Sequence, residues 1–151
     1  MTKTFTTLEI INICAWYKQS RENPDKPLSV LPLTVQWKLK NNVAKLQTLS
    51  DNFMNFRDEA DNAIREEYIS DEKSEESVDE QGQPIRKIKD EYLETYQAKV
   101  TELNEKLSEI IAEKQDVDID TIDINAVVDE IVDNSKLTIE DLEMLNFMNI
   151  D

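Results

Sequence analysis

The sequence predicts a mainly α fold: a long antiparallel helical hairpin with a short N-terminal helix, a minor β element around 117–124 and a short C-terminal helical cap. Three observations favour this class. The 151 residues include one glycine and four prolines, and helix interiors disfavour these residues by about 1 and 3 kcal/mol. The prolines fall at only two places in the chain, where helices are expected to stop. Two long stripes of apolar residues at helical spacing lie outside those breaks.

The elements follow from local signals. Thr6 and Glu9 have the spacing of a capping box, which begins the first helix. Apolar residues three or four apart run from Val35 to Tyr68 over about ten helical turns, and a second such stripe begins at Tyr92. Two long amphipathic helices in sequence are expected to fold back and bury their stripes on each other. The predicted elements of a single domain 1–151 are a helix at 6–19, a long helix at 34–69, an acidic connection and turn at 70–88, a long helix at 89–114, a strand at 117–124 and C-terminal helices at 126–149.

The only glycine marks a candidate turn, formed by Gly82 and Pro84 in "DEQGQP". Glycine adopts a positive φ without steric cost, and a tight turn here is expected to require one. The flanking segments Ser77–Val78 and Ile85–Lys89 predict a short β ribbon or a loop beside this turn.

The segment "VDIDTIDI", 117–124, alternates apolar and acidic residues as a strand does. The alternation changes phase at Thr121–Ile122, which indicates a bulge or bend. A single strand needs a partner. Within the chain the best candidate is "LSVLPL", Leu28–Leu33; a second copy or another protein is the alternative.

The charge of the chain is strongly negative and unevenly distributed. Its net charge is −16; Met1–Lys45 holds seven Lys/Arg and three Asp/Glu, and the remainder holds ten and thirty. This surface repels nucleic acid and anionic membranes, so we expect neither as a partner. No run of 18 apolar residues is present. With Cys14 as the only cysteine there is no internal disulfide, which favours a reducing, intracellular setting.

The residue content excludes most catalytic chemistry. The chain has no histidine, so Ser-His-Asp and Cys-His arrangements are impossible, and one glycine cannot form a phosphate-binding loop. Asp116, Asp118, Asp120 and Asp123 begin like a calcium loop, but Thr121 stands where the loop needs glycine and Val127 where it needs glutamate. We therefore expect no enzyme, no cofactor and no metal, and Cys14 to be a helix-face or core residue.

Two groups of side chains remain as interaction candidates. Aromatic and basic residues together resemble a small nucleic-acid platform, but the favoured interpretation is that the rings dock the first helix onto the hairpin; these residues are Trp16, Tyr17, Trp37, Lys18, Arg21, Lys38 and Lys40. The second group is an acidic run that suits solubility, a basic protein partner or imitation of DNA. The candidate acidic surface consists of Asp58, Glu59, Glu66, Glu67, Asp71, Glu72, Glu75 and Glu76.

The order of segments resembles small helical proteins of unknown function from tailed phages and prophages. The resemblance is carried by "FTTLEIINI", "LPLTVQWKLKNNVAKLQ", "DEQGQPI", "DEYLETYQAKVTELNEKL", "VDIDTIDI" and "LTIEDLEMLNFMN". It implies a virus-encoded protein in the cytoplasm of an infected bacterium or in the virion, and it carries over no site residue. We expect a non-catalytic protein-interaction role with a phage or host protein, self-association included. The alternative is an acidic inhibitor or DNA mimic directed at a host DNA-binding or defence protein.

Overall fold

A computed structural model describes residues 1–131 and 135–151, and it confirms the mainly α class. The described chain forms five α-helices, two small antiparallel sheets and two 3₁₀ turns. The elements are β1 (Thr2–Thr6), α1 (Thr7–Glu22), a 3₁₀ turn (Pro27–Val30), α2 (Leu33–Tyr68), β2 (Ser74–Val78), β3 (Pro84–Ile88), α3 (Asp90–Ile111), β4 (Lys114–Asp118), α4 (Ile124–Glu130), α5 (Ile139–Leu145) and a 3₁₀ turn (Asn146–Met148).

The chain divides into two compact units. Unit 1 contains Met1–Asn52 and Ala112–Asp151, and unit 2 contains Phe53–Ile111. The long helix α2 therefore gives its first turns to unit 1 and its last turns to unit 2. A single domain over 1–151 stays a prediction.

Unit 1 contains a two-stranded sheet in which β1 pairs antiparallel with β4, from Thr2 opposite Asp118 to Thr6 opposite Lys114. The predicted pairing with Leu28–Leu33 is wrong, because Pro27–Val30 form a 3₁₀ turn and α2 begins at Leu33. Proline lacks the N–H group that a strand ladder needs; Pro27 precedes that segment and Pro32 lies within it.

The segment after β4 shows why the apolar pattern changes phase. The strand ends at Asp118, earlier than the predicted 124. Val117, Ile119 and Ile122 are all buried, so the spacing between buried residues grows from two to three where the chain bends. Beyond the bend, Ile122 forms a single parallel bridge with Asn149.

The core of unit 1 lies between α1, the first turns of α2 and the C-terminal segment. The predicted capping box at Thr6 and Glu9 is present: Thr6 Oγ1 accepts from the Glu9 N–H at 3.1 Å, and the Glu9 carboxylate accepts from the Thr6 N–H at 2.7 Å. Both helices direct apolar side chains inward, as their spacing requires. The core includes Ile10, Ile13, Cys14, Val35, Leu39, Val43, Leu46, Val117, Ile119, Leu145 and Met148.

The C-terminal helix α5 is fixed to this core by a polar contact. Thr138 and Asp141 form the second predicted capping box. The buried Asp141 carboxylate also accepts a 2.9 Å hydrogen bond from the Trp16 Nε1–H. One aspartate thus caps α5 and satisfies a buried indole, as a buried N–H group requires.

Unit 2 contains the end of α2, a β2–β3 hairpin and α3. Gly82 has φ +77° in the hairpin turn, and its N–H donates to the Asp79 carbonyl at 3.0 Å. The Asp79 carboxylate accepts from the N–H groups of Gln81 and Gln83, and Pro84 begins β3. The turn is therefore held by backbone and carboxylate hydrogen bonds around a left-handed residue.

The helical hairpin of unit 2 contains close side-chain contacts. The Tyr68 and Tyr96 rings lie 5.4 Å apart in an edge-to-face arrangement, and Lys99 Nζ lies 2.7 Å from the Glu67 carboxylate. Tyr68 is buried. The apolar stripe of α3 is half-buried, and none of the described side chains of this helix is fully buried. Two helices alone cover only one side of each other's apolar stripe.

Candidate functional site

The structure places the eight acidic candidates on unit 2, and all eight side chains are exposed. They do not form one continuous row on one element. Four lie on α2, at Asp58, Glu59, Glu66 and Glu67; two lie before β2, at Asp71 and Glu72; and two lie on β2, at Glu75 and Glu76.

Three of these carboxylates have a basic partner. Asp58 pairs with Arg57 at 3.1 Å and Asp71 with Arg86 at 3.5 Å. Glu67 accepts hydrogen bonds from Lys99, which lower the pKa of its carboxyl and raise the pKa of the lysine. Within the described chain the other five carry no ion pair: Glu59, Glu66, Glu72, Glu75 and Glu76. The acidic surface is thus partly neutralised.

The apolar stripe of α3 is the second feature of unit 2. Its members follow helical spacing on one face of the 22-residue helix, and each is half-buried. They are Tyr92, Tyr96, Val100, Leu103, Leu107 and Ile110. In the same unit the Phe56 ring of α2 is half exposed. The stripe thus keeps part of its apolar surface accessible, while Tyr96 packs against the Tyr68 ring of α2.

The predicted aromatic group separates into buried and exposed members. Trp16 is 8% exposed, whereas Trp37 is 63% exposed, so the expectation that the rings dock α1 is wrong for Trp37. Lys38 Nζ donates to the Thr121 carbonyl at 2.9 Å, which makes this lysine a structural contact of unit 1. Lys18 and Lys40 are exposed.

Three of the four aspartates that resemble the start of a calcium loop make side-chain contacts within the protein. Asp116 accepts from the Thr4 hydroxyl at 2.6 Å, and Asp118 pairs with the Met1 amine at 3.2 Å. Asp123 caps α4 by accepting from two N–H groups. In residues 1–131 and 135–151, no cluster of three metal-ligating side chains is present.

Cys14 lies in the core of unit 1. Burial, with a smaller contribution from Asp51, raises the pKa of its thiol to about 11. A thiolate is the reactive form of cysteine, and it is scarce at neutral pH for such a group.

Two residues that border an open groove in unit 1 were not singled out from the sequence. Lys26 lies in "NPDKP" and has φ +45°, a conformation that a lysine seldom adopts. Leu33, the first residue of α2, is 80% exposed. The spacing of residues in the sequence does not indicate that either lies at a groove, because the 3₁₀ turn between α1 and α2 determines where both residues lie.

Comparison with known proteins gives no identification: no protein-family model matches the chain, and neither a curated protein nor a solved structure is matched by it. Among the helices of the described residues, none has both the length and the apolar character that a membrane span requires.

Proposed function

We propose that the protein is a non-catalytic protein-interaction protein that binds its partner through unit 2. The observation that supports this most directly is the stripe of α3, whose six apolar side chains stay half-buried on a 22-residue helix. Accessible apolar surface with a polar border is typical of protein-binding sites, and the half-buried stripe keeps part of its surface accessible.

The charge of unit 2 favours a partner other than a second unit 2. Seventeen Asp/Glu and eight Lys/Arg fall within Phe53–Ile111. Two copies of such a surface repel each other, whereas a partner with an apolar centre and a basic border is attracted. The proposed partner is therefore a phage or host protein of that chemistry.

The setting of this function is proposed on the resemblance to tailed-phage proteins: the protein acts in the cytoplasm of an infected bacterium or in the virion, in assembly or in an accessory role. A non-catalytic role agrees with a chain that has no histidine and whose single thiol is protonated at neutral pH.

Quantitative affinity capture from infected cells tests the proposal with two matched variants of α3. Leu103→Lys places a charge in the stripe, and Thr101→Lys places the same charge two residues away on the exposed opposite face. We expect Leu103→Lys to lose the partner and Thr101→Lys to keep it. Circular dichroism verifies that both stay helical. Equal capture by both variants would contradict the proposal.

The alternative function, an acidic inhibitor or DNA mimic, is favoured by the five exposed carboxylates of the candidate surface without ion pairs. It predicts capture of a basic DNA-binding protein that weakens steeply with salt, because exposed charges are screened over about 8 Å at physiological ionic strength. The variant Glu72→Gln/Glu75→Gln/Glu76→Gln distinguishes the two. It abolishes binding by a DNA mimic and leaves binding through the stripe of α3 largely unchanged.

A further inference from the structure

A cationic groove lies in unit 1. Its volume is about 430 Å³, and it is bordered by the last turns of α1, the 3₁₀ turn Pro27–Val30 and the first turns of α2. The side chains that define the groove are Tyr17, Arg21, Lys26, Leu33, Trp37 and Lys40. Its volume lies in the range of ligand and peptide sites.

The charge of this groove is opposite to that of the protein. Arg21, Lys26 and Lys40 line it and no Asp or Glu does, although the chain has 33 acidic and 17 basic residues. Within the described chain none of the three is in an ion pair. Arg21 lies 5.7 Å from the centroid of the Tyr17 ring, which leaves its donors available.

The backbone of Lys26 is held in a costly conformation. Its φ of +45° is left-handed, which costs a non-glycine residue about 1–2 kcal/mol. The Ser29 N–H and hydroxyl both donate to the Lys26 carbonyl, at 3.1 and 2.7 Å, and fix this conformation. A lysine maintained in this way at the edge of a groove agrees with a binding role.

The groove exposes large apolar side chains, and two others of similar exposure, Val78 and Ile139, lie elsewhere in the described chain. Of the described residues, four large apolar side chains are more than six-tenths exposed: Leu33, Trp37, Val78 and Ile139. Leu33 and Trp37 lie one helical turn apart on the groove. Val78 ends β2, between Glu75 and Glu76 on one side and Asp79 and Glu80 on the other.

The tip of the β2–β3 hairpin therefore combines acidic and apolar side chains that complement the cations and apolar side chains of the groove. The segment 75–80 holds four acidic residues and no basic one around the exposed Val78. On β3, Arg86 and Lys87 lie opposite Glu76 and Glu75, so the hairpin 74–88 has a net charge of −2. Glu76 and Val78 lie on the same face of β2, two residues apart. The tip thus presents a carboxylate and an aliphatic side chain on one face, and the groove presents cations next to exposed apolar side chains.

We propose that the hairpin tip of one copy docks in the cationic groove of a second copy. Each molecule then contributes one tip and one groove, so the contact is head-to-tail and continues into rings or open chains. This association uses neither the stripe of α3 nor an unknown partner, and it stands apart from the proposed function.

Sedimentation velocity of the full chain from 10 to 200 µM in 0.15 M NaCl tests the proposal through complementation. The groove variant Lys26→Asn/Lys40→Glu removes two cations, and asparagine tolerates the left-handed backbone at position 26. The tip variant Glu76→Lys/Val78→Lys removes the acidic and apolar groups of the tip. The control Lys18→Glu changes an exposed cation of α1 outside the groove.

We expect wild type and Lys18→Glu to associate, and each of the two double variants alone to associate at least tenfold more weakly. An equimolar mixture of the two variants retains one intact groove and one intact tip, so it forms a dimer and nothing larger. A monomeric wild type, association that survives in either variant, or a mixture that stays monomeric would each overturn the proposal. Association lost only in Leu103→Lys would assign self-contact to the stripe of α3 instead.

Discussion

Asn42 fixes the bend after β4 to helix α2, and its removal gives a sharp test of the structure of unit 1. Its side chain is fully buried. The amide Nδ2 donates to the Asp120 carbonyl at 2.8 Å, and Oδ1 accepts from the Asp120 N–H at 2.8 Å. The side-chain amide therefore pairs with both the backbone N–H and the backbone C=O of Asp120, as a residue on a neighbouring strand would.

The expected loss in Asn42→Ala can be worked from these contacts. Two net hydrogen bonds contribute about 1 kcal/mol each, and a backbone group left without a partner adds to the loss. The small cavity left by truncation adds about 1 kcal/mol more. We expect the free energy of unfolding to fall by about 2–4 kcal/mol, which lowers the melting temperature by about 5–12 °C in a chain of this size.

Thermal and urea denaturation followed by circular dichroism measure this loss, and the neighbouring asparagine is its control. Asn41 is half-buried and makes no side-chain hydrogen bond in the described structure, so Asn41→Ala is expected within about 0.5 kcal/mol of wild type. Equal stabilities of the two alanine variants would refute the role assigned to Asn42.

Three further predictions concern single groups. The Cys14 thiol, with a pKa of about 11, is expected to resist thiol reagents at pH 8 until the protein unfolds. The unfolded thiol ionises near its ordinary pKa of 9.0, while the folded thiol keeps its proton. The stability of wild type relative to Cys14→Ala should therefore fall between pH 9 and 11. Rapid labelling of the folded protein would contradict this. Gly82→Ala should reduce the stability of the hairpin by about 1 kcal/mol, measured as faster amide exchange in β2 and β3. The added methyl group meets no atom within 4 Å, so only the φ of +77° opposes it. Gln81→Ala is the control. The Glu67 carboxyl should titrate below the usual glutamate range by NMR and move back toward that range in Lys99→Met, because the Lys99 hydrogen bond is the main cause of its lowered pKa; an unmoved midpoint would exclude that cause.

Local chemistry made the helix starts and the turn predictable. The capping boxes at Thr6 and Thr138 need only residues three positions apart, and both are present. The long stripe predicted α2 within one residue at either end. An apolar stripe shows which face of a helix is apolar but not which element covers it. The sequence therefore could not predict that α2 passes from unit 1 to unit 2 near residue 52.

Contacts between distant segments could not be predicted from one sequence. β1 is five residues long and mostly polar, and its partner lies more than 100 residues away, so no local pattern identifies the pair. Asn42 lies on the apolar stripe of α2, three residues after Leu39 and four before Leu46, but this spacing does not identify Asp120 as the partner of its amide. The cations of the groove, at 21, 26 and 40, form one patch only because the 3₁₀ turn brings α1 and α2 together.

The pairing of β1 with β4 determines the order in which the units can be completed during synthesis. Unit 2 is one continuous stretch, whereas unit 1 needs residues from both sides of it. A ribosome releases β1 first, yet the strand has no intramolecular ladder partner until residues 114–118 have emerged. Throughout that interval the nascent β1 keeps open N–H and C=O groups, which any other extended chain nearby could pair with.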